Sequence, residues 1–185
     1  MTPRAILVVV GIAALAAMAP AIAAGTPPQT LESFDVRLKD YLALKNKAEH
    51  GLPHLTKQST PEEVVRHQRA LAAQIKEARP GAKAGWFFTP QIEALVKRTM
   101  TEVLSGADGP SVRDSILDEN PDVKTIALHE QYPPAVPVST MPPQVLAALP
   151  KLPKGLEYRF LGTRLVLLDT DADMVVDYTG AVFTP

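Results

Sequence analysis

The sequence predicts an α+β fold: three to four N-terminal helices packed on a small C-terminal antiparallel three-stranded meander, with a candidate extra edge strand. Three observations carry this. Leu156–Tyr178, LEYRFLGTRLVLLDTDADMVVDY, has the densest apolar alternation in the chain and two turn signals. Upstream, Thr60-Pro61-Glu62-Glu63 and Thr89-Pro90 are helix starts, each followed by apolar residues at helical spacing. Between the two halves, prolines cluster from Pro133 to Pro153, where regular structure is disfavoured.

In the meander, Gly162-Thr163 suits a type II′ two-residue turn, which sets Phe160 opposite Leu165, Tyr158 opposite Leu167 and Leu156 opposite Asp169. A second turn in Thr170–Asp173 pairs Asp169 with Met174 and Leu167 with Val176. One face then carries Leu156, Tyr158, Phe160, Leu165, Leu167, Met174, Val176 and Tyr178, and must be covered by the helices. The other face is mixed. Arg159 and Asp177 flank Val166 there as an exposed pair, and Leu161, Val166, Leu168 and Val175 form an apolar patch in need of cover by the connector or a partner.

The helices are read in order. Thr30 caps the first, which runs to about Glu49 with Leu31, Phe34, Leu38, Tyr41, Leu42 and Ala48 on one stripe and Lys45 off it. Thr60 opens the second through a capping box, and Arg79-Pro80-Gly81 stops it. Trp86-Phe87-Phe88 reads as a plug that seats the next connector between two helices, with a stacking platform for a ligand or glycan as the alternative. Thr89-Pro90 then starts a third helix, which runs to about Leu104, and Ser111 caps a short fourth through Leu117. Val123–His129 is the candidate edge strand, and Pro142–Leu149 fits one short helix behind Thr140. Aromatics are only 5% of the chain, which favours a core of Leu, Val, Ile and Ala.

Residues 1–24 read as a signal peptide. Arg4 is followed by the apolar run Ala5–Ala19, then by Pro20 and the A-x-A site Ala21-Ile22-Ala23. Residues 25–185 then form a single α+β domain, with a helical part (25–119), a proline-rich connector (120–155) and the meander (156–178). A net charge of −1 gives no electrostatic reason for nucleic acid or an anionic membrane as partner. The chain has no cysteine, which excludes disulfides, thiol catalysis and cysteine-ligated zinc.

The sequence assigns no catalytic, cofactor-binding or metal residue. His50 and His54 are spaced i,i+4, but Gly51 and Pro53 intervene; His67 reads as solvated mid-helix. His129-Glu130 is not a metalloprotease motif, because Pro133 stands where the second histidine belongs. Asp169, Asp171 and Asp173 open a calcium-loop pattern, but Met174 and Gly180 occupy the positions that need Gly and Glu. Serine-nucleophile and glycine-rich phosphate motifs are absent.

Leu149-Pro150, Leu152-Pro153, Leu156-Glu157-Tyr158-Arg159-Phe160, Gly162, Leu165–Asp169, Ala172 and Val176-Asp177 together resemble the C-terminus of a group of short exported bacterial proteins of unknown function. The segment Ala78–Pro90 is similar to that group as well. A fainter likeness links the Gly162 hairpin to periplasmic nickel/cobalt homeostasis regulators, from whose His-rich character this chain departs. The first resemblance implies location and fold, and brings no activity, cofactor or ligand. The functional expectation is a non-catalytic periplasmic or secreted protein that contacts an envelope partner or itself, with no membrane attachment after cleavage. A weak metal binder using His50/His54 or Asp169/Asp171/Asp173 is the first alternative, and a hydrolase of unrecognised type the second. N-terminal sequencing of the exported protein is expected to begin at Ala24 or Gly25; an intact Met1 on the exported form would contradict cleavage.

Overall fold

A computed structural model describes residues 28–119, 127–133 and 141–185. The signal segment, residues 120–126 with positions 123–126 of the candidate edge strand, and the prolines within 134–140 lie outside the described residues. Among the described residues five helices precede a three-stranded antiparallel sheet: α1 (Pro28–Glu49), α2 (Pro61–Ala78), α3 (Pro90–Leu104), α4 (Gly109–Glu119), α5 (Pro143–Ala148), β1 (Leu156–Leu161), β2 (Arg164–Asp169) and β3 (Met174–Ala181). The strand order is β1-β2-β3. This is the α+β arrangement anticipated from the alternation and the caps.

The helix starts follow from local chemistry. Thr60 Oγ1 accepts from the Glu63 amide at 3.3 Å while Glu63 Oε2 accepts from the Thr60 amide at 2.8 Å, which completes the capping box of α2. Thr89 Oγ1 accepts from Ile92 N at 3.4 Å, with Pro90 in the first turn of α3. Three starts differ from the sequence reading. α1 begins at Pro28, so Thr30 lies inside it rather than at its cap. α4 begins at Gly109 rather than behind Ser111, and α5 has Pro142 at its N-cap with no side-chain hydrogen bond. A Cβ on Gly109 would lie 2.1 Å from the Leu104 carbonyl oxygen, so only glycine permits this close turn from α3 into α4.

The β1–β2 register is Leu156↔Asp169, Tyr158↔Leu167 and Phe160↔Leu165, as the turn chemistry requires. Gly162 has φ +58 and Thr163 does not share the positive sign, the combination of a II′ turn. The β2–β3 pairing departs from expectation after its first pair. Asp169↔Met174 and Leu168↔Val175 hold, but Leu167 then pairs with Asp177 and Val166 with Tyr178. One extra residue in β3, at Val176, makes a bulge that changes the face of Asp177 and Tyr178, and a second register shift follows before Arg164, which pairs with Ala181. Asp177 is carried to the helical side, whereas Tyr178 moves to the opposite side. The expected exposed Arg159–Asp177 pair therefore does not form, and Arg159 pairs with Glu157 on its own strand.

The main core joins both halves of the chain. Phe34, Tyr41, Leu71, Ile75, Phe87, Phe88, Ile92 and Ile116 from the helical part meet Tyr158, Phe160, Leu165, Leu167 and Val176. Few as they are, the aromatics sit at its centre: Phe34, Tyr41, Phe87, Phe88 and Phe160 are among its largest fully buried side chains. Around them Leu, Val, Ile and Ala make up most of the buried cluster, as the composition implies. Phe87 packs its ring 5.3 Å from Phe34 and 5.9 Å from Tyr41.

The second face of the sheet is also buried. Leu161, Val166, Leu168 and Val175 are each no more than 6% exposed, with Tyr132 of the connector packed on Leu161, Val166 and Leu168. His129 N donates to Val175 O and Val175 N donates to Glu130 O, both at 2.9 Å, and Gln131 bridges Met174. The connector thus runs along β3 at 129–131 as a short antiparallel edge. The apolar patch that the sequence left in need of cover is closed within the chain by the connector, one of the covers it offered. Removing its lid tests this. Tyr132→Ala is expected to cost about 3 kcal/mol in urea unfolding and to raise binding of a hydrophobic dye; unchanged stability and dye binding would contradict it.

Candidate functional site

The ionisable groups converge beneath the β2–β3 turn. On α1, Phe34, Leu38, Tyr41, Lys45 and Ala48 are buried at spacings of three and four, so Lys45 lies on the core stripe rather than off it. Asp169 ends β2 opposite Leu156, on the same side of the sheet as the helices. Its carboxylate is fully buried and takes four donors. Tyr41 O–H donates to Oδ2 at 2.8 Å; Lys45 Nζ (2.8 Å), Asp171 N (3.0 Å) and Ala172 N (3.1 Å) donate to Oδ1. Lys45 Nζ also donates to Asp171 Oδ2 at 2.7 Å, and Gln68 Nε2 of α2 reaches Thr170 O at 3.2 Å.

Gly155 is the floor of this cluster. Its φ is +87, and a Cβ there would lie 2.2 Å from Asp171 Oδ2 and 3.2 Å from Lys45 Nζ. A side chain at 155 would displace the ion pair. The carboxylates that suggested a calcium loop thus hold a cation from the chain itself, the Lys45 ammonium, while Asp173 accepts from Gln131 Nε2 at 2.5 Å. Burial pulls the Lys45 pKa down, but hydrogen bonds and charge from Asp169 and Asp171 outweigh it and hold it above the ordinary lysine value. Burial, reinforced by the Asp169 charge, drives the Tyr41 phenol far up.

A second cluster adjoins it through Tyr41. The bulge places Asp177 against the Gly85–Phe88 loop, where Gly85 N (2.7 Å) and Tyr178 N (2.9 Å) donate to Oδ1, and Phe87 N (2.6 Å) and Phe88 N (2.9 Å) to Oδ2. Burial raises its pKa, and these four amides act in the opposite direction by favouring the carboxylate. The Arg79 guanidinium stacks 5.6 Å from the Tyr41 ring centre and 5.1 Å from that of Trp86. Its Nη1 lies 3.4 Å from both Val176 O and His129 Nε2. His129 adopts φ +63, and burial together with the Arg79 and Lys76 charges lowers its pKa.

The remaining histidines stand apart. His50 and His54 lie exposed beyond the end of α1. His67 is buried rather than solvated: its Nδ1 lies 3.0 Å from Pro53 O, tying α2 to the preceding connector, and its Nε2 is 3.9 Å from Glu49 Oε1. Among the described residues no group of three or more histidine or carboxylate side chains is arranged to hold a metal ion. Likewise, no described helix is long and apolar enough to cross a membrane.

Sequence reasoning missed both clusters, though not equally. Lys45 is i+4 from Tyr41 and three residues before Ala48, and Asp169 faces Leu156, so each charge stood at an apolar position of its own pattern. That is a readable signal for a buried ion pair. Asp177 had no such signal, since a one-residue bulge decides its face. Chemically, Asp169 and Asp177 have their oxygens engaged by donors of the protein itself, an arrangement that fastens chain segments rather than moving protons. No family model, curated protein or solved structure matches the chain.

Lys45→Met is expected to destabilise by about 3–5 kcal/mol, because it leaves Asp169 buried without its cation. Lys45→Met/Asp169→Asn is expected to recover part of that loss in a double-mutant cycle. The pH dependence has a definite sign. Lys45 and Tyr41 both have folded pKa values above their ordinary 10.5 and 10.0. The stability they contribute is complete below those ordinary values and lost as pH rises through the folded ones. Urea unfolding above pH 10 should therefore show a decline that Lys45→Met reduces; an identical alkaline profile in the variant would contradict the pairing.

Proposed function

We propose that the chain is an exported periplasmic protein, non-catalytic, that acts by contacting another protein of the cell envelope. Export is supported by the n-region, apolar run and A-x-A site of residues 1–24. With the second face of the sheet closed, one surface carries the contact reading: the α1–α2 connector with the outer side of α2. Leu55 and Val65 are 42% and 41% exposed there, large apolar side chains open to solvent. A cavity of about 360 Å3 beside Leu55 and His67 and a groove of about 420 Å3 beside Val65 and Arg69 both include Arg66 in their walls. Glu62 and Glu63 share these walls, Glu63 being engaged by the Thr60 amide, and the exposed apolar side chains beside Arg66 and Arg69 suit a partner segment that presents an apolar side chain with polar flanks.

The test is site-specific photo-crosslinking in intact cells. A crosslinker at Val65 is expected to capture a partner that one at Arg98 on α3 does not, and Arg66→Glu/Arg69→Glu is expected to abolish capture. Capture of a second copy would identify self-association. A protein that crosslinks to nothing from Val65 and is strictly monomeric by light scattering would contradict the reading.

A further inference from the structure

A different surface, on the loop between α2 and α3, points to a ligand. Residues Arg79–Trp86 line a depression of about 420 Å3, within the size range of small-molecule sites. Arg79 is its fixed element. The guanidinium is held between the rings of Tyr41 and Trp86, and only Nη1 reaches protein acceptors, both at 3.4 Å. Arg79 is half-buried, and Nε and Nη2 make no hydrogen bond to the described residues, nor are they among the fully buried unpartnered atoms. Among the described residues neither Arg79 nor Lys83 makes an ion pair, and the amides of Lys83 and Ala84 donate to no protein acceptor. Asp177 lies near enough to favour the guanidinium charge, but both its oxygens are taken by backbone amides.

We infer that this loop binds a phosphate group, with the free edge of the Arg79 guanidinium as the bidentate donor and Lys83 as the second charge. A planar fork already immobilised by two rings loses little freedom on engaging two oxygens. Two unpaired cations match a doubly charged phosphate better than a single carboxylate. Glycines at φ +73 (Gly81) and +87 (Gly85) let the loop curve around the depression and leave backbone amides on its rim. The phosphate can belong to a free phosphate monoester or to a lipid headgroup; the recognition chemistry is the same.

The chain carries a built-in probe, because Trp86 is its only tryptophan and sits against Arg79. Inorganic phosphate added to the full-length protein is expected to change Trp86 emission saturably, beyond the effect of sodium chloride at matched ionic strength. Arg79→Gln is expected to abolish that change. Lys83→Ala, an exposed position whose loss leaves the packing intact, is expected to weaken apparent affinity by about tenfold. Vesicles of phosphatidic acid separate the two sources: a response to both probes assigns a headgroup, and a response to phosphate alone assigns a free monoester. No response to either probe, or a response unaltered in Lys83→Ala and Arg79→Gln, would overturn the assignment.

Discussion

The contact on which the architecture turns is the buried Asp169 carboxylate, shared by Tyr41 and Lys45 of α1. A charge with no exposure must be neutralised and hydrogen-bonded or it opposes folding. Here the neutralising group comes from a residue 124 positions away in the chain. The first helix can therefore sit on the sheet in one orientation, the one that brings two successive turns of its buried stripe under the β2–β3 turn. Apolar packing alone would tolerate sliding along the helix axis; the three-way contact among Tyr41, Lys45 and Asp169 does not.

The second buried carboxylate extends the same logic to the middle of the chain. Asp177 reaches the helical side only because β3 bulges at Val176, and once there it organises the Gly85–Phe88 loop by accepting three of its amides. That loop carries Phe87 and Phe88 into the core. Tyr41 joins the two clusters, with its hydroxyl on Asp169 and its ring against Arg79 and Phe87. The sheet is thus fastened to the helices through two aspartates, Asp169 at the end of β2 and Asp177 beside the β3 bulge, with Tyr41 between them. A chain without cysteine obtains its cross-links in this way.

Much of this was legible beforehand because caps, turns and alternation are local. Thr60 and Thr89 marked helix starts that the structure shares, and Gly162 set a register that holds along the whole β1–β2 ladder. What escaped was non-local or a matter of one residue. The bulge at Val176 leaves the apolar alternation looking regular while reversing the faces of Asp177 and Tyr178. The connector was a foreseen cover for the second face of the sheet, but that Tyr132 is the residue that closes it was not. Lys45 and Asp169 were visible as charges at apolar positions, but their pairing required knowing which helix lies under which turn. The Arg79 depression depends on stacking between side chains 38 and seven positions apart, which no spacing rule describes.

These features separate the parts of the molecule that hold it together from those open to other molecules. The carboxylates are committed inside, whereas Leu55, Val65, Arg66, Arg79 and Lys83 face outward on α2 and the loops that flank it. The central claim is that buried aspartates fasten the helical part to the sheet, and native-state hydrogen exchange tests it most directly where Asp177 holds the Gly85–Phe88 loop. The amides of Gly85, Phe87 and Phe88 lie in a loop without helix or strand pairing, yet they should exchange as slowly as those of β2. Exchange at the rate of an exposed loop such as 54–58 would contradict the account.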